Sequence, residues 1–347
     1  MLGALRFVLA LLVVVTHLSG APAWGHLGGF AVFGFYLLSG YLMTMVLHEV
    51  YDFRFAAFAA NRALRLFPVY FVVAGATLLI ILPLQPEATA YHYAYGIRTG
   101  HWDLAGNLLL AAFELYDRKF RLVPPTWSVG VEIINYALLW LFVARRPAWA
   151  LGTFVCAVAY HLIALGVGSG LWYRYQPFYA ALLPFSLGAL VYFSQQQIRR
   201  VGDRAARLTA SVAGCAWVGG LIACGILGSH ASAYFDLFYY FNLVALAGLV
   251  AALTHPAWSG RFAVAGKFLG DLAYPIFLVH WLVGFIVVLA LPEGPVRGWH
   301  VLINALPGIL LAAWALVKFT DAVVEPARDA IRTGRIHPAA PRPAHVT

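Results

Sequence analysis

Residues 28–48 read GGFAVFGFYLLSGYLMTMVLH, 21 positions without one Asp, Glu, Lys or Arg. A helix rises about 1.5 Å per residue, and the hydrocarbon core of a bilayer is about 30 Å thick. An uncharged apolar run of this length therefore predicts a membrane-crossing helix. Working outward, nine further stretches qualify: 3–20, 66–84, 126–144, 149–166, 178–194, 208–228, 233–253, 270–290 and 300–322. A shorter piece, 104–113, is too brief to cross and reads as re-entrant or interfacial. The composition agrees. Apolar residues make up 62% of the 347 positions and charged ones 11%, against about 25% charged in soluble proteins. The expected fold class is all-α, a polytopic transmembrane helical bundle of ten spans. A soluble enzyme, a disordered chain and a collagen-like chain are excluded. The apolar runs are continuous rather than alternating, which argues against an outer-membrane barrel. Residues 1–330 form the expected membrane domain, and 331–347 a polar, disordered cytoplasmic tail. The first apolar segment lacks a basic start and a small-residue cleavage site, so it reads as a span rather than a signal peptide.

Ten crossings put both termini on one side. With that side cytoplasmic, only Arg98, Arg118, Lys119, Arg121, Arg174 and Arg297 of the 23 Lys and Arg fall outside. The other 17 fall inside, the bias expected of a membrane protein. The net charge of +9 then reads as basic cytoplasmic loops facing membrane lipid, with no nucleic acid as partner. Cys156, Cys215 and Cys224 lie in apolar runs without metal-ligand spacing. They read as small buried hydrophobes, and no metal is expected.

Ionisable side chains inside spans are costly, so they are the informative ones. Arg6 and His17 are eleven positions apart in the first span. Eleven steps of about 100° bring them to nearly the same face, about 16 Å apart along the axis. A long ligand with its anionic end at Arg6 would reach His17, and an extended phosphopantetheine arm has a comparable length. Taken singly, Arg6 also fits a boundary anchor and His17 a packing histidine. Arg62 and Arg65, at i,i+3 before the third span, share a face if that stretch is helical. Their planar donor forks suit phosphates, and simple anchoring is the other reading. Pro124-Pro125-Thr126-Trp127-Ser128 opens the fourth span, with Thr126 as expected N-cap. Glu132 then lies about 9 Å down the helix, at the expected depth of His17. A carboxylate there would orient the imidazole as base and partner, or serve as a structural ion pair or cap. Asn135 and Tyr136 follow at i+3 and i+4, and with Trp127 and Ser128 are the candidate substrate contacts. His280 lies mid-span, equally readable as packing or function. The connection 85–125 carries Tyr91, His92, Tyr93, Tyr95, His101 and Trp102, either belt residues or the mouth of an outward-facing site. Soluble catalytic signatures such as G-x-S-x-G, Walker A and H-E-x-x-H are missing.

In this order the pieces resemble acyltransferase family 3, which includes bacterial O-acetyltransferases of surface polysaccharides and macrolide acylases. Arg6-x10-His17 is similar to the family's first-span pattern. Gly34 to Tyr41 resembles its Phe-Phe-x-x-Ser-Gly-Phe signature, with Tyr in the last place. Arg62-x-x-Arg65, Thr126-Trp127-Ser128 followed by Glu132, the run Tyr274 to His280, and Val324 to Arg328 also resemble family motifs. The resemblance implies a cytoplasmic acyl donor, usually acetyl-CoA, and a hydroxyl acceptor on the outer side, such as a glycan. It implies donor binding by Arg6, Arg62 and Arg65 and catalysis by His17. The expected location is the bacterial inner membrane. Two rival readings stand beside it. A secondary transporter would use His17 and Glu132 as proton-relay groups, but no inverted repeat is evident. A non-catalytic scaffold would leave the Arg6–His17 alignment unexplained.

Overall fold

The structure is a computed structural model that describes residues 1–21, 24–110, 120–227, 232–258, 263–291 and 294–333. Among these residues every regular element is helical. Lipid cannot satisfy backbone N–H and C=O groups, so a helix that pairs them internally is the form an apolar run adopts there. The helices are α1 (Leu2–Leu18), α2 (Leu27–Val46), α3 (Phe55–Ile81), α4 (Gln85–Tyr91), α5 (His101–Leu109), α6 (Trp127–Leu138), α7 (Pro147–Gly166) and α8 (Leu171–Tyr175). They continue as α9 (Leu182–Phe193), α10 (Gln195–Arg199), α11 (Asp203–Leu227), α12 (Ser232–Leu253), α13 (Ala263–Ala290), α14 (Trp299–Phe319) and α15 (Glu325–Arg332).

Each of the ten apolar runs coincides with a helix. Among the described residues, eight helical stretches are long and apolar enough to cross a membrane. The other two runs give shorter apolar helices, Leu2–Leu18 and Leu182–Phe193. At 12 residues, α9 extends about 18 Å. Of the piece at 104–113, residues 104–109 are the end of α5, which stops where Leu110 turns to a φ of 53°, and 111–113 lie outside the described residues. The third run begins earlier than its apolar stretch: α3 starts at Phe55, so Arg62 and Arg65 are helical and share a face as expected. The tail from 334 lies outside the described residues, as do Arg118, Lys119, Arg261, Arg335 and Arg342.

α1 is central. It packs along α13 on one side and α2 on the other, while α2 also packs along α9. Two of these three seams, α1–α13 and α2–α9, are closed by glycine. A Cβ at Gly3 would run into the carbonyl oxygen of Gly266, and one at Gly40 into that of Phe185. Small residues let helix backbones approach where lipid offers no hydrophobic drive, which is the part played here by Gly40 of the Gly34–Gly40 run. Gly40→Leu should therefore lower the thermal midpoint in detergent markedly, since overpacking costs about 1–3 kcal/mol. Gly75→Leu, where a Cβ meets nothing within 4 Å, is the control and should leave it unchanged.

Two local expectations are corrected. Cys156 and Cys215 are exposed on the apolar outside, and only Cys224 is buried. In a membrane chain the outside is as apolar as the core, so an apolar run does not tell the two apart. Thr126 does precede α6, but its hydroxyl donates backward to Val123 O (2.7 Å) and caps nothing.

Candidate active site

The end of the bundle that carries Met1 is called the near face, and the opposite end the far face. A cavity of about 670 Å³ is lined by Met1, His255 and Lys267 on the near side. Arg6 from α1, Arg62 and Arg65 from α3, Ser39 from α2, and Glu132 and Tyr136 from α6 also line it. Folding thus brings together three arginines from two helices. Among the described residues none of the three has a carboxylate within ion-pair distance. Lys267 is paired with Asp271 at 3.2 Å. Glu132, which lines the same cavity, offsets only part of their charge, and the excess of guanidiniums is costly inside a membrane protein. A ligand with several phosphate oxygens would satisfy them through paired N–H donors.

Arg62 is held in place. Its Nη2 donates to Asn61 Oδ1 (2.9 Å), and its Nε is buried without a partner. Asn61 is fully buried and donates to Arg328 O (3.2 Å). Arg328, itself buried, donates to Glu325 at 2.5 Å. The segment after α14 therefore closes over the start of α3 and fixes the residue that orients Arg62.

A second cavity, of about 370 Å³, is lined on the far side by Gly25, His26, Leu171, Tyr175 and Gln176. His17, Trp127 and Ser128 also line it. Val32, Ser128 and Phe277 line both cavities and form the partition between them. The Arg6–His17 face of α1 thus serves both chambers, with the arginine in one and the histidine in the other.

His17 Nδ1 lies 2.9 Å from His280 Nε2, with the two ring planes 4° apart. His280 Nδ1 lies 3.3 Å from Ile276 O, an acceptor only, so this nitrogen carries the proton. In the neutral ring His280 Nε2 then accepts, His17 Nδ1–H donates, and His17 Nε2 keeps a lone pair. This hydrogen-bond chain selects the tautomer of His17 that a general base needs. Trp281 packs against the His17 ring at 5.0 Å between centroids and holds its orientation.

The expected partner of His17 is therefore corrected. Glu132 does not meet the imidazole; it sits with the arginines in the near-face cavity. Its Oε1 accepts from the hydroxyls of Ser39 and Tyr136, the latter at 2.5 Å. The physical reason is the start of α6. Pro124, Pro125 and Thr126 form a buried 3₁₀ turn, with Thr126 fully enclosed. α6 begins already deep in the bundle, and Glu132 lies one turn nearward of the partition residue Ser128. Of the candidate substrate contacts, Trp127 and Ser128 line the far cavity and Tyr136 the near one. Asn135 lines neither; its amide donates to Val131 O (3.0 Å) and Phe178 O (3.1 Å) and ties α6 to the approach of α9. His280 is the residue that reading the sequence left undecided. Its signal was an imidazole in the middle of an apolar span, where a partner is required.

No curated protein and no solved structure matches the chain. Residues 2–318, nearly all of it, match the family model described as an acyltransferase domain, that of acyltransferase family 3. The chain is thus a multi-pass membrane acyltransferase and belongs to acyltransferase family 3.

Proposed function

We propose that the protein is an O-acyltransferase of the bacterial inner membrane. It moves an acyl group, acetyl being the usual one in the family, from cytoplasmic acyl-CoA to a hydroxyl on an extracytoplasmic acceptor such as a glycan. One observation carries the reading. Two cavities reached from opposite faces share Val32, Ser128 and Phe277, with unpaired arginines in one and an imidazole in the other. The 17-to-6 division of Lys and Arg supports a cytoplasmic near face.

On this reading the CoA phosphates bind Arg6, Arg62 and Arg65, and the phosphopantetheine arm runs along α1 toward the partition. The acceptor hydroxyl enters the far cavity. His17 Nε2 takes its proton while the oxygen attacks the thioester carbonyl. The tetrahedral intermediate collapses, the C–S bond breaks, and the leaving thiolate takes the proton from the imidazolium. The products are the ester and free CoA. His280 accepts from His17 Nδ1–H throughout and stabilises the imidazolium. An acyl-histidine relay at the same Nε2 is the other order of events. Glu132 balances the charge of the arginine cavity and fixes Ser39 and Tyr136 in its wall.

The test is transfer or hydrolysis of labelled acetyl-CoA by the purified protein, and a transporter or scaffold would do neither. Arg65→Ala and Arg62→Ala should each weaken CoA binding by about 10- to 100-fold, the size of a lost charge-assisted contact. Lysine at either position should restore it only in part, because it lacks the planar fork. Unchanged CoA affinity in the double variant would make these arginines membrane anchors.

A further inference from the structure

The two chambers differ in charge. The near cavity is lined by Arg6, Arg62, Arg65 and Lys267, with Glu132 and Asp271. The wall of the far cavity, about 370 Å³, has no Asp, Glu, Lys or Arg among the described residues. Arg174 adjoins the wall residue Tyr175 in the chain, but it is buried and neutralised by Asp236 at 2.7 Å. Arg297 lies 4.8 Å over the ring of Trp281 and is not part of the wall. A ligand with a charged group would therefore meet no counter-charge in the far cavity.

What the far wall offers instead is neutral. Trp127 and Tyr175 line it and meet edge to face, 5.1 Å between centroids. Gln176 follows at the end of α8, where its N–H donates to Trp172 O (3.0 Å). Among the described residues, the indole N–H of Trp127, the phenol of Tyr175 and the side-chain amide of Gln176 hydrogen-bond to no other protein group, and packing seals off none of them. The other polar side chains of the wall are engaged. Thr16 Oγ1 donates to Trp24 O (3.2 Å) and Ser128 Oγ to Pro125 O (3.0 Å), while His26 Nε2 lies 3.0 Å from Leu221 O. Three uncharged groups and His17 Nε2 are thus left for a ligand.

We propose that the far cavity is a subsite for an uncharged sugar ring, bound by Trp127, Tyr175 and Gln176, and that a ring bearing a carboxylate or phosphate is excluded from it. This rests on the acyl-transfer reading and adds the chemical class of the acceptor ring. A pyranose has a C–H face that suits the negative face of an aromatic ring. Its hydroxyls both donate and accept, which matches an amide, a phenol and an indole N–H. The acyl chain of a lipid would leave all three unmet, at a cost for each. A charge on the ring would enter without a partner, which is more costly still. Charge elsewhere on a longer saccharide stays outside the cavity and is tolerated.

The test uses the full chain in phosphatidylcholine nanodiscs, titrated with methyl glycosides and followed by saturation-transfer NMR. The probes are matched pairs: methyl glucoside against methyl glucuronide, methyl galactoside against methyl galacturonide, and methyl N-acetylglucosaminide against its 6-phosphate. In at least one pair the neutral member should bind at least about 10-fold more tightly, because an unpaired charge costs more than a neutral hydrogen bond returns. Gln176→Leu should weaken that binding about 2- to 10-fold, the size of one neutral hydrogen bond. Trp127→Ala should abolish it, and Trp127→Phe, which keeps a ring, should restore most of it. The thermal midpoint in the nanodisc shows that each variant is folded, and Gln176→Leu decides if Trp127→Ala is not. No binding by any neutral glycoside, equal or inverted affinities within every pair, or binding unchanged in Gln176→Leu would overturn the proposal. A lipid that fills the cavity gives the first of these results. CoA titration of the same samples tests the acyl-transfer reading separately, through Arg62 and Arg65.

Discussion

His17→Ala is expected to lower acyl transfer by about 10²- to 10⁴-fold, the range contributed by a positioned general base, while CoA binding is retained. Transfer to the acceptor is the quantity to follow, with CoA affinity measured alongside. His17→Gln keeps a hydrogen-bonding side chain but takes no proton, so it should be equally inactive. Near-wild-type turnover in His17→Gln would reduce His17 to a packing residue. His280 gives the sharper test of the geometry. His280→Phe fills the space but leaves His17 Nδ1–H without its acceptor, so His17 no longer has a fixed tautomer. Transfer should fall substantially, with the loss in kcat rather than in acceptor KM. A full-rate His280→Phe enzyme would show that the 2.9 Å contact has no part in orienting the base.

The second large effect is expected at the partition. Val32 is 6% exposed and Phe277 7%, and with Ser128 they separate the two chambers. Val32→Trp places an indole where the thioester must pass. Because a misplacement of about 1 Å costs on the order of 10²-fold, transfer should drop at least that much with CoA affinity little changed. Phe277→Ala acts in the opposite sense: it widens the passage and should raise hydrolysis of acetyl-CoA without acceptor relative to transfer. Both variants should insert, since neither touches the glycine seams. If Val32→Trp transfers at the wild-type rate, the donor does not reach His17 through this partition.

The arginine cavity was legible residue by residue. Arg62-x-x-Arg65 is a helical repeat, and an i,i+3 pair shares a face in any helix. The Arg6–His17 face was legible for the same reason. What could not be read was the partner of His17. α2 and α13 are apolar on nearly every side, so no amphipathic stripe announces which face turns inward. His280 shares no periodic pattern with His17, from which it is 263 positions distant. The placement of Glu132 failed on a different point. Counting residues from the expected membrane surface assumes that a helix starts there, and the buried turn at Pro124–Thr126 starts α6 deeper. Asn61 likewise carries no signal in the sequence, because Arg328, whose carbonyl it meets, is 267 positions away.

The sequence by itself determined that this chain is a helical membrane protein, where its apolar helices lie, and which residues share a face within one helix. Those properties follow from hydrophobicity and the helical repeat, both local to the chain. Only the tertiary structure decided which faces meet. It gave His17 an imidazole rather than a carboxylate as partner and collected the arginines of α1 and α3 around one cavity. It also set Val32, Ser128 and Phe277 in the shared wall of two chambers. The reason is that, between helices that are apolar on every side, the contacts are chosen by close packing at glycines and by a few buried polar pairs, and neither is encoded in any single segment.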